Sequence, residues 1–241
     1  MSRTYGQFCG LARALEMVGE RWAMLVVRDL LLSPKRFTQL RRGLPKMPPS
    51  ILAARLNELE EAGVVRRRVT AELDASIVYE LTEYGADLEP IVLQLALWGA
   101  RSLETPAGDE LFTLDAAILS LYTTFRPDRA VGVHALFELR FGLEMCLRAD
   151  VHDGTLEVTE ISDVDEPVEG EVDLVIRPRG PMKPIMAGEV TAKEAVDRGM
   201  VDILGDIAML ELYASLFHVP AAPRRDSGLT SWETPMAIGL G

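Results

Sequence analysis

The chain has 241 residues, 48% of them hydrophobic, with a mean hydropathy of +0.11. That is enough apolar material for two cores and too much for a disordered chain. Its net charge of −12 and its two widely spaced cysteines, Cys9 and Cys146, exclude a uniformly basic coat, a disulfide framework and a cysteine-based zinc module.

No run of roughly 18 uninterrupted apolar residues occurs, and the opening MSRTYGQFCG lacks the apolar centre of a secretory signal, so the expectation is a cytoplasmic protein with no membrane partner. The charge is divided unevenly. Residues 1–104 hold 14 basic and 13 acidic side chains, which leaves 11 basic and 24 acidic for the remainder. Halves with such different balances do different work, and the acidic half should avoid nucleic acid.

In chain order, Cys9 to Val18 reads as a helix with Leu11, Leu15 and Val18 inward. Arg21 to Leu32 reads as a second helix, with Trp22, Leu25, Val26, Leu30 and Leu31 in a core. Ser33-Pro34 breaks the chain before a helix over Phe37 to Arg42. The next helix carries Leu52, Leu56 and Leu59 at i, i+4 and i+7, one apolar stripe that must pack inward. Pro48 and Pro49 start it, where a missing N–H costs nothing, and Gly63 stops it. Opposite the stripe lie Ser50, Ala54, Asn57 and Glu61, with Ala53 beside them and Arg55 on the flank. Val64 to Val69 and Ile77 to Leu81 are β-branched runs around a polar turn, and read as a hairpin. Thr82 can cap a helix to about Arg101, kinked at Pro90, whose stripe of Leu88, Ile91, Val92, Leu95 and Trp98 requires a partner surface.

Charge indicates what this unit does. From residue 35 to 68 there are nine basic residues, Lys35, Arg36, Arg41, Arg42, Lys46, Arg55, Arg66, Arg67 and Arg68, against three acidic ones, a net +6 inside an acidic protein. Positive charge concentrated in this way suits phosphate neutralisation on DNA. Arg66 to Arg68 taken alone could equally be a solvated strand edge guarded by charge.

The order ALEMVGERWAMLVVRDLLLSPKRFTQLRRGLP, PSILAARLNELEEAGVVRR, YELTEYGADLEPIVLQLALWG resembles the HxlR-type winged helix-turn-helix regulators of bacteria, over about residues 5–101. The resemblance implies a homodimer that reads a palindromic DNA operator, with Ser50, Ala53, Ala54 and Asn57 at groove-facing positions and the 82–101 helix at the dimer interface. One departure is the Pro48-Pro49 opening of the reading helix, which replaces the family's usual hydroxyl cap. The family often has an oxidant-responsive cysteine near the position of Cys9. With no adjacent cation to activate it, that residue reads instead as a buried inert thiol.

Ser102 to about residue 111 reads as a linker, residues 112–218 as a second domain and 219–241 as a flexible tail. Leu114 to Phe125 is amphipathic, and Ala135 to Phe141 and Leu143 to Val151 alternate. Phe137, Leu139, Phe141, Leu143, Met145 and Leu147 share one strand face, with Glu138, Arg140, Glu144 and Arg148 on the other. Asp153-Gly154 is a hairpin turn. Further strands are read at 155–161, 171–177 and 201–204, with helices at 181–187, 191–198 and 206–217. The segments VHDGTLEV, DLVIRP and IMAGEVTAKEAVDRGMVDILGDIAMLELYASLF resemble the sterol-carrier-protein fold, which implies an antiparallel sheet and helices around an apolar pocket. The chain as a whole is then α+β. Met182, Ile185, Met186, Met209 and Leu210 would face the apolar strand face and either line a pocket for an apolar effector or fill an irregular core.

His134, His152 and His218 are far apart in sequence without metal-ligand spacing, and no nucleophile elbow, phosphate loop or dinucleotide fingerprint occurs. The expectation is therefore no metal, no cofactor and no enzyme. It is instead a DNA-binding transcriptional regulator; the alternative is a lipid carrier or enzyme accessory with a vestigial DNA-binding domain.

Overall fold

The computed structural model describes residues 4–70, 76–142, 145–161 and 171–221. Two hydrophobic cores organise them.

The first unit comprises α1 (Gly10–Val18), α2 (Ala23–Leu32), β1 (Lys35–Arg36), α3 (Phe37–Gly43), α4 (Pro49–Glu61), β2 (Val65–Val69), β3 (Ile77–Leu81), α5 (Glu83–Ala86) and α6 (Glu89–Ala100). Pro49 occupies the first turn of α4, whose Leu52, Leu56 and Leu59 are buried against Val26, Val27 and Leu40. Gly63 takes φ +73, a left-handed conformation that ends the helix without Cβ strain. β1 adds a third strand to the hairpin, in the order β1-β3-β2. The single kinked helix expected over 82–101 is two helices: Thr82 Oγ1 caps α5 by accepting from the Gly85 N–H at 3.0 Å, and Pro90 lies in the first turn of a separate α6.

The second unit comprises α7 (Leu114–Thr124), β4 (His134–Phe141), β5 (Met145–His152), β6 (Thr155–Glu160), β7 (Leu174–Pro178), α8 (Lys183–Met186), α9 (Ala192–Asp197), β8 (Val201–Gly205) and α10 (Ile207–Leu216). Asp153 (φ +44) and Gly154 (φ +83) make the turn from β5 to β6. The sheet runs β6-β5-β4-β7-β8 and is mixed rather than antiparallel, because β7 docks parallel to β4, on the edge that β5 leaves open.

The strand face expected to line a pocket is packed solid at its centre. Phe137, Leu139, Leu147, Ile185 and Leu210 are each no more than 2% exposed, and a water-sized void beside them would leave more surface accessible. Phe137 meets Tyr213 and Phe217 edge-on, with centroids 5.4 and 6.3 Å away, and those two rings stack at 4.5 Å. Met186 is buried in this core, and Phe141, Met145, Met182 and Met209 pack around it. Leu143 lies outside the described residues.

The opposite face is less solvated than alternation implies. Glu138 is 1% exposed, with Arg140 Nε donating to its Oε1 at 2.7 Å and Arg148 Nε to its Oε2 at 3.3 Å. Burial first, and then the Glu138 carboxylate, push the neighbouring Cys146 thiol up to about 11, which keeps it protonated and unreactive.

The segment read as a linker does not separate the two units. Leu119 of α7 belongs to the first core, and Ala100 at the end of α6 packs on the second. Lys35 Nζ meets Asp115 Oδ1 at 3.0 Å with both side chains 12% exposed, and Lys46 Nζ meets Asp109 Oδ2 at 2.6 Å. Lys183 Nζ donates to the carbonyls of Arg101 (2.6 Å) and Leu103 (2.7 Å), satisfying acceptors just beyond the end of α6.

Candidate nucleic-acid interface

The outer face of α4 presents Ser50, Ala53 and Asn57 to solvent, with Ala54 half-buried beside them. Pro48 at its N-cap has no side-chain cap, so the first-turn N–H groups are free of the hydroxyl that a Ser or Thr would supply. Neutral small side chains around one amide let a helix sit deep in a major groove, and Asn57 has both a donor and an acceptor for a base edge.

Behind α4, α3 begins with the Gln39 side chain accepting the Arg36 N–H at 2.7 Å, and its last turn carries Arg41 and Arg42. Both arginines are exposed, and neither has an ion-pair partner among the described residues. Cations in the last turn also face the negative end of the α3 dipole, which favours them there.

The remaining cations are organised differently from a continuous strip. Lys35 is turned into the seam with α7, where Asp115 holds it, and is not on the reading surface. Lys46 is paired with Asp109 but remains half exposed. Arg55 is only 14% exposed and bridges to Glu58 Oε2 at 2.6 Å and Glu20 Oε2 at 3.5 Å, so it braces α4 against the α1–α2 turn. Arg66 to Arg68 do not form one patch. Strand alternation puts Arg66 and Arg68 on one face, both on Glu80, at 2.8 and 2.9 Å. Arg67 lies on the other face and reaches Glu60 at 2.8 Å. Hydrogen bonding from Arg68, and then from Arg66, holds the Glu80 carboxyl below the usual carboxylate range. These guanidinium groups are half exposed or more, so they can exchange a carboxylate for a phosphate at modest cost.

The stripe expected at a dimer interface divides. Val92 faces the core and is 6% exposed, and Leu88 packs against it, whereas Ile91 (55%), Leu95 (50%) and Trp98 (67%) stand in solvent at i, i+4 and i+7. On α1, Leu11 (69%) and Leu15 (43%) are exposed rather than inward, and Leu25 on α2 is exposed as well. The apolar periodicity of α1 was legible, but its direction was not, because a stripe that packs on its own domain and one that packs on a second copy have the same spacing. Cys9 is exposed just before α1, not buried.

Among the described residues no three or more His, Cys, Asp or Glu side chains are assembled as a metal set, and no helix is long and apolar enough to cross a membrane.

Comparison with known proteins bears on the first unit. Residues 17–107 match the HxlR-like helix-turn-helix family. The HTH-type transcriptional regulator YtcD of Bacillus subtilis is 34% identical over 106 residues, 44% of this chain and 84% of that protein. The HTH-type transcriptional regulator YodB of the same organism is 33% identical over 91 residues, 38% of this chain and 81% of that protein. Among solved structures, the redox regulator HypR in its oxidised form is 34% identical, covering 40% of this chain and 99% of that one, with a TM-score of 0.38. The matching region is the one that carries the solvent-facing α4 surface and the two unpaired arginines of α3, and through it the chain belongs to the HxlR-like helix-turn-helix family of DNA-binding transcriptional regulators.

Proposed function

We propose that the protein is a homodimeric regulator that reads a two-fold-symmetric operator, with α4 in the major groove, Arg41 and Arg42 on the flanking phosphates, and the β2–β3 wing beside them. The observation that carries this reading is the juxtaposition of an uncapped α4, whose outer face presents Ser50, Ala53 and Asn57, with two exposed arginines on α3 that have no ion-pair partner among the described residues, in a protein of net charge −12. A vestigial reader in so acidic a chain has no physical reason to keep them. The filled core of the second unit weighs against the lipid-carrier alternative. The contacts through Leu119, Lys35 and Lys183 support a role for that unit in fixing the geometry of the reader and of α6.

The test is the salt dependence of operator binding. Each phosphate contact on duplex DNA contributes roughly 0.9 to the slope of log K against log salt, so Arg41→Ala with Arg42→Ala should lower the slope by about 2 and weaken specific and non-specific DNA alike. Arg66, Arg67 and Arg68, released from Glu80 and Glu60 only on binding, should change the slope less per residue. An unchanged slope in the α3 double variant would remove α3 from the backbone. Sequence discrimination is assigned to Asn57: binding-site selection with Asn57→Ala should relax one position per half-site, by about 1–3 kcal/mol if the contact is bidentate. An identical consensus would place Asn57 on phosphate or solvent.

A further inference from the structure

The chain contains three histidines, and the fold brings two of them face to face. The β4–β5 hairpin pairs His134 directly with His152, 18 residues away. Their Nδ1 atoms are 2.9 Å apart and their ring centroids 4.3 Å apart, and both side chains are exposed. One row further along the same sheet face, the register aligns Leu136, Asp150 and Glu157, and both of those carboxylates are exposed.

At this distance one Nδ1–H donates to the other Nδ1, because two N–H groups would point at each other. A metal ion can take the place of that proton. Two nitrogens on one tetrahedral zinc, each at about 2.0–2.1 Å, stand roughly 3.3 Å apart, so the nitrogens need to separate by a few tenths of an ångström and the rings to turn until both lone pairs meet at the metal. Same-face positions in successive rows are about 6.7 Å apart along a strand, within reach of an aspartate or glutamate that changes rotamer. The unit that carries the pair is also the strongly acidic one, which draws cations to it.

We propose that His134 and His152 anchor a binding site for a divalent transition-metal ion of the zinc, nickel or copper class, completed by Asp150 or Glu157. Imidazole nitrogens select these ions over magnesium and calcium, which take oxygen ligands. The third ligand swings in on binding, since no three-donor set is preassembled among the described residues.

The experiment is a competition for Zn²⁺ between the full-length protein and a chromophoric chelator, in the presence of excess Mg²⁺. The expected result is one tight zinc equivalent per chain, insensitive to Mg²⁺. His134→Ala and His152→Ala should each weaken it by more than the roughly 10–100-fold typical of losing an outer-shell partner. Either Asp150→Asn or Glu157→Gln should weaken it to a smaller extent. Cys9→Ser, which removes the other exposed soft ligand, should leave it unchanged. Because both histidines are exposed, their variants should keep the wild-type circular dichroism spectrum. Wild-type zinc affinity in the His134→Ala, His152→Ala double variant overturns the assignment, as does loss of the site in Cys9→Ser or no zinc binding at all.

Discussion

Leu95→Glu is expected to yield a monomer that no longer binds its operator tightly. Leu95 stands half exposed between Ile91 and Trp98 on α6, and Leu11 and Leu15 are exposed on α1, so these two helices leave large apolar side chains without a partner among the described residues. Covering a half-exposed leucine removes on the order of 1 kcal/mol of apolar exposure per copy, and the two-fold symmetry of a homodimer counts each contact twice. A glutamate there instead brings two carboxylates into one dry interface, where an unpaired buried charge costs several kcal/mol. Linked half-site readers gain roughly 10²–10⁴ in affinity over one reader alone, and the monomer forfeits that gain. Light scattering and operator titration on the same sample check both halves of the expectation. A dimer mass retained by Leu95→Glu would move the interface off α6. A monomer with undiminished operator affinity would separate dimerisation from reading.

How far such features can be read from the sequence depends on whether they are local. The stripe of Leu52, Leu56 and Leu59, the prolines before it and Gly63 after it act within one helix, and α4 follows from them. The partners of the cations do not. Whether Arg66 faces Glu80 or a phosphate depends on the β2–β3 register, and Lys35 is captured by Asp115, 80 residues away, through a packing of α7 that no periodicity encodes. The filled core has the same origin. Alternation along β4 and β5 marks an apolar face, but only the placement of α10 decides whether Tyr213 and Phe217 occupy the space beneath it. Between these extremes lies the histidine pair. A hairpin that pairs Phe141 with Met145 sets residues equidistant from that pair opposite each other, so the pairing of His134 with His152 follows once the register is known.

The second large effect is expected at the seam between the reader and α7. Asp29 of α2 is fully buried; Arg28 donates to its Oδ1 at 2.8 Å, and its Oδ2 has no hydrogen-bond partner. Gly43, the last residue of α3, sits against it: a Cβ there would lie 2.4 Å from Asp29 Oδ2 and 3.0 Å from Asp115 Oδ2. Burial first, and then the Asp115 carboxylate, raise the Asp29 carboxyl from 3.8 to about 6, against the opposing pull of Arg28 and Lys35. A folded state that holds its proton more tightly than the unfolded chain is favoured at low pH. The associated stability is fully present below about pH 4 and is lost as the pH rises to about 6, a total of about 3 kcal/mol at roughly 1.4 kcal/mol per unit. Other carboxylates, among them Glu80, shift in the opposite direction, so the quantity to measure is a difference. Asp29→Asn can still accept from Arg28 and can donate its amide towards Asp115. Denaturant unfolding of wild type and variant should coincide near pH 4 and diverge by about 3 kcal/mol in favour of the variant by pH 7. Gly43→Ala should lose about 1–3 kcal/mol by overpacking the same site. Because it displaces the helix that carries Arg41 and Arg42, it should also weaken operator binding under conditions where the protein remains folded. A pH-independent difference for Asp29→Asn, or an Asn variant less stable than wild type at pH 7, would mean that the Arg28 pair outweighs the cost of burying the charge.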